Sequence, residues 1–132
     1  VIQELNPVRA TGSGIADVVV VAPNYERAGR LFVTAQVNGS EVDLMIDTGA
    51  SHTVLSRSDA HRLGIESFRE VPVQTVSGRA TLSEGTASEI TIKGSTARDR
   101  PVLISDNTDV SLIGMDLLTE IGGTHIALAP LR

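Results

Sequence analysis

The sequence has no cysteine and no tryptophan, and its aromatic side chains are limited to one tyrosine and two phenylalanines. The lack of cysteine excludes disulfides, zinc-thiolate sites and cysteine nucleophiles. So few aromatic rings make a stacking surface for single-stranded nucleic acid implausible. A net charge of -5 without a cluster of basic residues argues against any nucleic acid as the main partner. The longest purely apolar run, residues 18–22, is too short to span a bilayer.

The residues that are present favour a single, mostly-β domain. The chain has 132 residues, of which 41% are hydrophobic, enough for one core. Val and Ile together outnumber Leu about two to one, and such β-branched side chains suit pleated strands better than helices. Small branched residues must then fill the core in place of aromatic rings. We expect a tail or linker over residues 1–14 and one domain over residues 15–132.

Alternating apolar residues mark the clearest strands, at 31–37 and 42–46, with the hairpin signal Asn38-Gly39 between them. The second strand leads directly into Asp47-Thr48-Gly49. Ser56 is a predicted helix cap and Gly64 a helix stop. Ser77-Gly78-Arg79 is the predicted turn of a later hairpin. Further strands are predicted at 17–22, 54–55, 71–76, 80–92, 102–104 and 126–128, and helices at 57–63 and 115–121.

Asp47-Thr48-Gly49 taken alone is typical of an ordinary turn. Its context points further, because an apolar strand precedes it and Ala50-Ser51 follows it. Later in the chain Leu112-Ile113-Gly114 opens onto a helix, and a hairpin with a glycine near its tip lies between the two motifs.

In these blocks the chain resembles the retropepsin-like aspartic proteases, over about residues 31–128. The matching segments are residues 44–51, the helix at 58–64 and residues 111–118. Phe32 and Asn38-Gly39 also match the bacterial branch of the family, whose members often carry a membrane anchor. The resemblance implies a single-lobed, closed β-barrel with a flap hairpin and one or two short helices. It also implies an aspartic endopeptidase that acts on peptides or proteins without a metal or other cofactor.

The chemistry of such an enzyme needs two carboxylates. One activates water as a base and the other protonates the leaving amine, and a pair about 3 Å apart shares one proton. No other aspartate in this chain is followed by Thr-Gly or Ser-Gly. The second Asp47 must therefore come from a second copy, so we expect a homodimer with a two-fold axis through the site. A catalytically silent module that keeps the fold for dimerisation or peptide binding is the alternative.

The resemblance also implies roles for the neighbours of Asp47. Thr48 would tie the two loops together across the dimer axis, and Gly49 would let the backbone approach water and substrate. Ile113 and Gly114 would support the loop from behind. The predicted substrate contacts are Ala50, Ser51, Leu112 and the flap residues Val76, Ser77, Gly78 and Arg79. An ordinary surface hairpin is the alternative interpretation of the flap.

Two positions depart from the viral members of the family. An acidic residue and an arginine that pair near the viral dimer interface are replaced here by Ser51 and Met115. The dimer would lack that ion pair and be weaker for it. Apolar pocket walls are expected from Val54, Val76, Val110 and Leu112. His52 is interpreted as a turn residue, with a pocket-lining position beside the catalytic loop as the alternative. Asp116 is interpreted as a carboxylate that favours the start of a helix.

Location and processing stay open at the level of sequence. The chain begins with Val1, which we interpret as a processed form. A membrane contact is expected only through an N-terminal anchor missing from this sequence, which would place the domain in the periplasm at a bacterial inner membrane. Self-cleavage within residues 1–14 is a further hypothesis.

Overall fold

The computed structural model describes residues 18–21, 23–75, 77–122 and 125–128, and the predicted tail at residues 1–14 lies outside them. Strands predominate among the described residues and the two helices are short, which confirms the mostly-β prediction. The strands are β1 (Val18–Val21), β2 (Tyr25–Arg27), β3 (Arg30–Val37), β4 (Ser40–Ile46), β5 (Val54–Ser56), β6 (Arg69–Thr75), β7 (Gly78–Ile92), β8 (Ser95–Ser105), β9 (Leu112–Ile113) and β10 (His125–Leu128). The helices are α1 (Arg57–Arg62) and α2 (Met115–Gly122).

Eight of these strands form one sheet in the order β2-β3-β4-β9-β5-β8-β7-β6. The sheet curls back on itself, because β3 also pairs with β7 through Gln36 with Thr91 and Val37 with Ile90. The resulting ring of strands is compatible with the predicted closed barrel. Strands β1 and β10 form a separate parallel pair near the two ends of the chain.

Two-residue turns set the register of the hairpins. Asn38 and Gly39 both have positive φ, at 53° and 86°, as the Asn-Gly signal predicts. Lys93 and Gly94 repeat this geometry between β7 and β8. Turns of this kind match the twist of the strands that they join, so each hairpin continues directly into paired strands.

Strand β8 is much longer than the predicted 102–104. Residues 95–100 are largely polar and exposed, so they lack an apolar pattern, but all of them except Asp99 pair with β7 in one antiparallel register. Pro101, which immediately precedes the predicted strand, lies inside the observed one. Strand β5 pairs with β8 only from Leu103 onwards, so the missing N–H of Pro101 does not interrupt that ladder.

The core is aliphatic, as the composition predicts. Its largest fully buried side chains include Leu44, Leu55, Ile104, Ile113 and Leu118. Helix α1 begins after Ser56, whose Oγ accepts a hydrogen bond from Asp59 N at 3.1 Å. The predicted cap is therefore present, and burial of Ala60 holds the helix against the sheet.

Candidate active site

The segment from Asp47 to Thr53 leaves the end of β4 as an irregular loop. Asp47 is partly buried, whereas Thr48 and Gly49 are exposed. Gly49 N donates to Asp47 Oδ1 at 3.0 Å, and Ala50 N donates to Asp47 O at 3.2 Å. These two bonds fold the loop tightly around the carboxyl group and leave it accessible.

Strand β9 and the start of α2 hold this loop from behind. Asp47 N donates to Ile113 O at 3.1 Å, and Met115 N donates to Ala50 O at 2.8 Å. Gly114 passes so close that a Cβ atom there would lie 2.4 Å from His52 O. The structure therefore places Ile113 and Gly114 directly against the loop that carries Asp47.

A buried threonine adds a second connection between the loop and α2. Thr53 is only 1% exposed, and its hydroxyl donates to Asp116 Oδ1 at 2.8 Å and accepts from Gly114 N at 3.1 Å. Asp116 Oδ1 also accepts from Leu117 N at 2.8 Å. Asp116 therefore has the helix-start role predicted from sequence and, in addition, fixes the end of the Asp47 loop.

We expect Thr53→Val to destabilise the fold by about 1–3 kcal/mol, because it preserves side-chain shape but leaves Asp116 and Gly114 N without their hydroxyl partner. Thr34→Val is the matched control, since the Thr34 hydroxyl donates to Asp43 at 3.0 Å on the exposed side of the sheet. That variant should change stability by roughly 0.5 kcal/mol or less. Urea unfolding of both variants tests this, and equal stability losses would contradict a special role for Thr53.

The predicted flap hairpin is formed by β6 and β7, but its tip differs from the prediction. Thr75 pairs with Gly78 and Gln74 with Arg79, so Arg79 lies in a strand and the turn lies between Thr75 and Gly78. Thr75 Oγ1 accepts from Ser77 N at 3.1 Å and donates to Gly78 O at 2.8 Å, which closes the hairpin one residue earlier than Ser77-Gly78-Arg79 suggested. Val76 lies outside the described residues.

One row of paired residues crosses all eight strands of the sheet on the face opposite the core. The row, in the order of the strands, is Tyr25, Phe32, Met45, Leu112, Val54, Leu103, Glu84 and Arg69. Paired residues share a face, and Asp47 follows Met45 by two positions, the spacing that keeps residues on the same face. Asp47 and Leu112 therefore belong to one continuous surface.

Two cavities lie along this face. The larger, of about 640 Å³, contains Tyr25, Arg27, Arg30, Met45 and Val110 among its lining residues. The smaller, of about 150 Å³, is lined by residues that include His52, Arg69 and Glu84. His52 Nδ1 lies 2.9 Å from Ser51 Oγ. His52 thus lines a cavity as well as forming part of the loop.

Sequence reasoning missed most of the residues that line these cavities. Val110, expected as an apolar wall, does line the larger one. Arg27, Arg30, Arg69 and Glu84 were not predicted, because only the pairing of the strands brings them into these cavities. A usable sequence signal was present for Arg27 and Arg30, since the turn-forming Gly29 lies between them.

Comparison with known proteins agrees with this geometry. Residues 33–120 match the family described as "gag-polyprotein putative aspartyl protease". The crystal structure of a retropepsin-like aspartic protease from Rickettsia conorii is similar with a TM-score of 0.58 and 28% identity, over 73% of this chain and 74% of that one. The fold and the match define a retropepsin-like aspartic protease domain. The chain belongs to the gag-polyprotein aspartyl protease family.

One further solved structure and one further sequence relative are similar to this chain. EIAV protease in complex with the inhibitor HBY-793 shares the fold at a TM-score of 0.62 and 24% identity, over 75% of this chain and 94% of that one. An "Uncharacterized protein in cobV 5'region" from Sinorhizobium sp is 33% identical over 70% of this chain. The match covers 42% of that relative, so the chain spans less than half of its length.

Two kinds of feature are absent from the described residues. No group of three or more His, Asp or Glu side chains there is placed to hold a metal ion. No helix in that part of the chain has the length and apolar character needed to cross a membrane.

Proposed function

We propose that the protein is an aspartic endopeptidase in which two Asp47 carboxylates, one from each subunit of a homodimer, activate the water that attacks a peptide bond. The observation that carries this proposal is the placement of the Asp47 loop. Its backbone is fixed by β9 and α2, Thr48 and Gly49 are exposed, and His52 and Thr53 of the same loop line the smaller cavity. Membership of an aspartic protease family supports the same assignment.

The need for a second subunit follows from the chemistry of a carboxylate pair. Within the described residues, the Asp47 side chain accepts a hydrogen bond from Gly49 N, and no second carboxyl group is bonded to it. A two-fold axis beside Asp47 would bring an identical residue face to face with it. The exposure of Thr48 and Gly49 is consistent with a surface that a second copy covers.

The two carboxyl groups then have different roles, one as a general base and the other as a general acid. The ionised Asp47 takes a proton from water as the water attacks the carbonyl carbon. The protonated Asp47 of the other subunit donates to the carbonyl oxygen, and a proton passes to the leaving amine as the C–N bond breaks. The β6–β7 hairpin would bind the extended substrate as an added strand, cover it and exclude water.

The concentration dependence of hydrolysis tests this proposal. At dilutions where the dimer dissociates, we expect the rate to rise with the square of the protein concentration, because each active site needs two chains. Cleavage of a peptide library at roughly pH 4–6, where a carboxylate pair holds one proton, should be measured beside sedimentation of the same samples.

Two outcomes would contradict the proposal. A strict monomer that hydrolyses peptides with a first-order dependence on concentration would exclude a site shared between subunits. A dimer that binds peptides but cleaves none at any pH would favour the silent binding module instead.

A further inference from the structure

The larger cavity lies on the same sheet face as Asp47, on the β2 side of β4. Its volume of about 640 Å³ is in the range of ligand-binding pockets and exceeds that of one side chain. The rings of Tyr25 and Phe32 stack on each other at 5.0 Å and form one wall with Met45. Asp109 and Val110 line the cavity from the segment that leads into β9.

Two arginines at the end of this cavity face each other across a hairpin. Arg27 pairs directly with Arg30, and the turn Ala28-Gly29 joins them with positive φ at both residues. Like charges in directly opposed positions destabilise a strand pair. Within the described residues, the ion pairs involve other arginines, and Arg30 Nη1 donates to the sulfur of Met45 at 3.4 Å.

Two of the three carboxylates that line the cavity already have partners. Asp43 accepts from the hydroxyls of Tyr25 at 2.9 Å and Thr34 at 3.0 Å. Asp59 accepts from Ser111 Oγ at 2.6 Å and from Arg62 at 3.1 Å.

Arg27 follows Tyr25 by two residues on β2, so the two side chains share a face, and both line the cavity. Burial, followed by the hydrogen bond and the charge of Asp43, raises the pKa of Tyr25, whereas the charge of Arg27 lowers it. The positive charge of Arg27 thus acts at the wall of the cavity. The third carboxylate, Asp109, lines the same cavity and is exposed.

We propose that this cavity selects an acidic side chain of the substrate, whose carboxylate binds the guanidinium groups of Arg27 and Arg30. The identity of the ligand as a peptide rests on the proposed function. A guanidinium group presents two parallel N–H donors that match a carboxylate, and a negative charge between two opposed arginines relieves their repulsion. The methylene groups of a glutamate would pack on Met45 and the stacked rings.

The experiment compares peptides that differ only by Glu or Gln at one position. A library of such pairs is scanned for cleavage by the wild-type protein, and binding of the same pairs is measured with the Asp47→Asn protein. We expect one position at which Glu is favoured by about tenfold in both measurements, as for a charge-assisted contact of roughly 1.4 kcal/mol. Salt should weaken this preference.

Variants of the cavity test whether Arg27 and Arg30 cause the preference for Glu. The double variant Arg27→Gln/Arg30→Gln should reduce the Glu-to-Gln ratio to about one, while its melting temperature stays equal or rises because a like-charge pair is lost. Lys93→Gln, at the exposed turn between β7 and β8, is the control and should keep the ratio. Asp109→Asn should keep or increase it.

The outcomes separate this inference from the proposed function. Glu-selective binding without any cleavage would uphold the acidic site and overturn the peptidase. Cleavage with no preference for Glu, or with a preference that survives the double variant, would overturn the acidic site and leave the peptidase standing. A preference for Lys that Asp109→Asn removes would likewise overturn it.

Discussion

Replacement of Asp47 by asparagine should abolish peptide hydrolysis while the protein stays folded and dimeric. Asparagine cannot take a proton from water or donate one as an acid, and such catalysis contributes roughly 10²- to 10⁴-fold to a rate. The fold should tolerate the change, because the Asp47 side chain accepts one local bond, from Gly49 N at 3.0 Å, and an asparagine oxygen can accept the same bond. Hydrolysis of a cleaved library peptide and thermal unfolding are the two measurements.

Mixing the variant with the wild-type protein tests the shared site directly. If subunits exchange freely, an equal mixture should contain about one quarter of wild-type homodimers, because a two-fold dimer draws each subunit independently. The activity should therefore be about one quarter, and not one half, of that of wild-type protein at the same total concentration. This assumes that mixed dimers with a single ionisable Asp47 are inactive. A fall to one half would indicate that each chain works alone.

Asp99→Asn is the matched control for this prediction. Asp99 is exposed and has a φ of 53°, a backbone conformation that asparagine also accepts. The same chemical change at this position should leave hydrolysis and stability unaltered. If purified Asp47→Asn protein cleaved peptides as fast as Asp99→Asn, the proposed mechanism would be wrong.

The parts of the fold that sequence could predict are those governed by local rules. The Asn38-Gly39 turn, the strand that enters Asp47 and the Ser56 cap each follow from residues within a few positions of one another. Leu112-Ile113-Gly114 was identified by its resemblance to a family motif, and the structure places it against the Asp47 loop.

The cavities and their charges depend on register between distant strands, which local patterns do not contain. Arg69 and Glu84 reach the Asp47 face only because β6, β7 and β8 pair in one particular register. The polar first half of β8 has no apolar alternation, so its pairing with β7 could not be read from the sequence. The flap tip was misplaced because Thr75, through its side chain, closes the turn earlier than the glycine suggested.

The contacts of Thr53 likewise could not be predicted from local sequence patterns. Its sequence neighbours give no sign that its hydroxyl bonds to Asp116, 63 positions later. The buried contact arises only after β9 and α2 pack behind the loop. The rigidity of the candidate active site is therefore a tertiary property, and its weakest point should be the place where two backbones approach most closely.

That place is Gly114, and Gly114→Ala should destabilise the protein by about 3 kcal/mol or more. The added Cβ would lie 2.4 Å from His52 O, 2.6 Å from His52 C and 2.9 Å from Ala50 O. These are backbone atoms, so no side-chain rotation can relieve the overlap. Gly114 itself cannot easily move, because its N–H donates to Thr53 Oγ1 at 3.1 Å and its carbonyl accepts from Leu118 N at 3.0 Å.

Gly49→Ala is the control, because the same added methyl group would meet only Asp47 Oδ1, at 3.4 Å. That is an ordinary contact, so this variant should keep the stability of the folded chain, and any loss of activity would come from the methyl group crowding the carboxyl group, the substrate or the second copy. Gly114→Ala should instead lower the denaturant midpoint and the rate of hydrolysis together, since it displaces the loop from β9 and α2. Equal denaturant midpoints for the two variants would mean that the loop can shift at little cost. The proposed catalysis relies on a loop that β9 and α2 hold in place, so that result would contradict it.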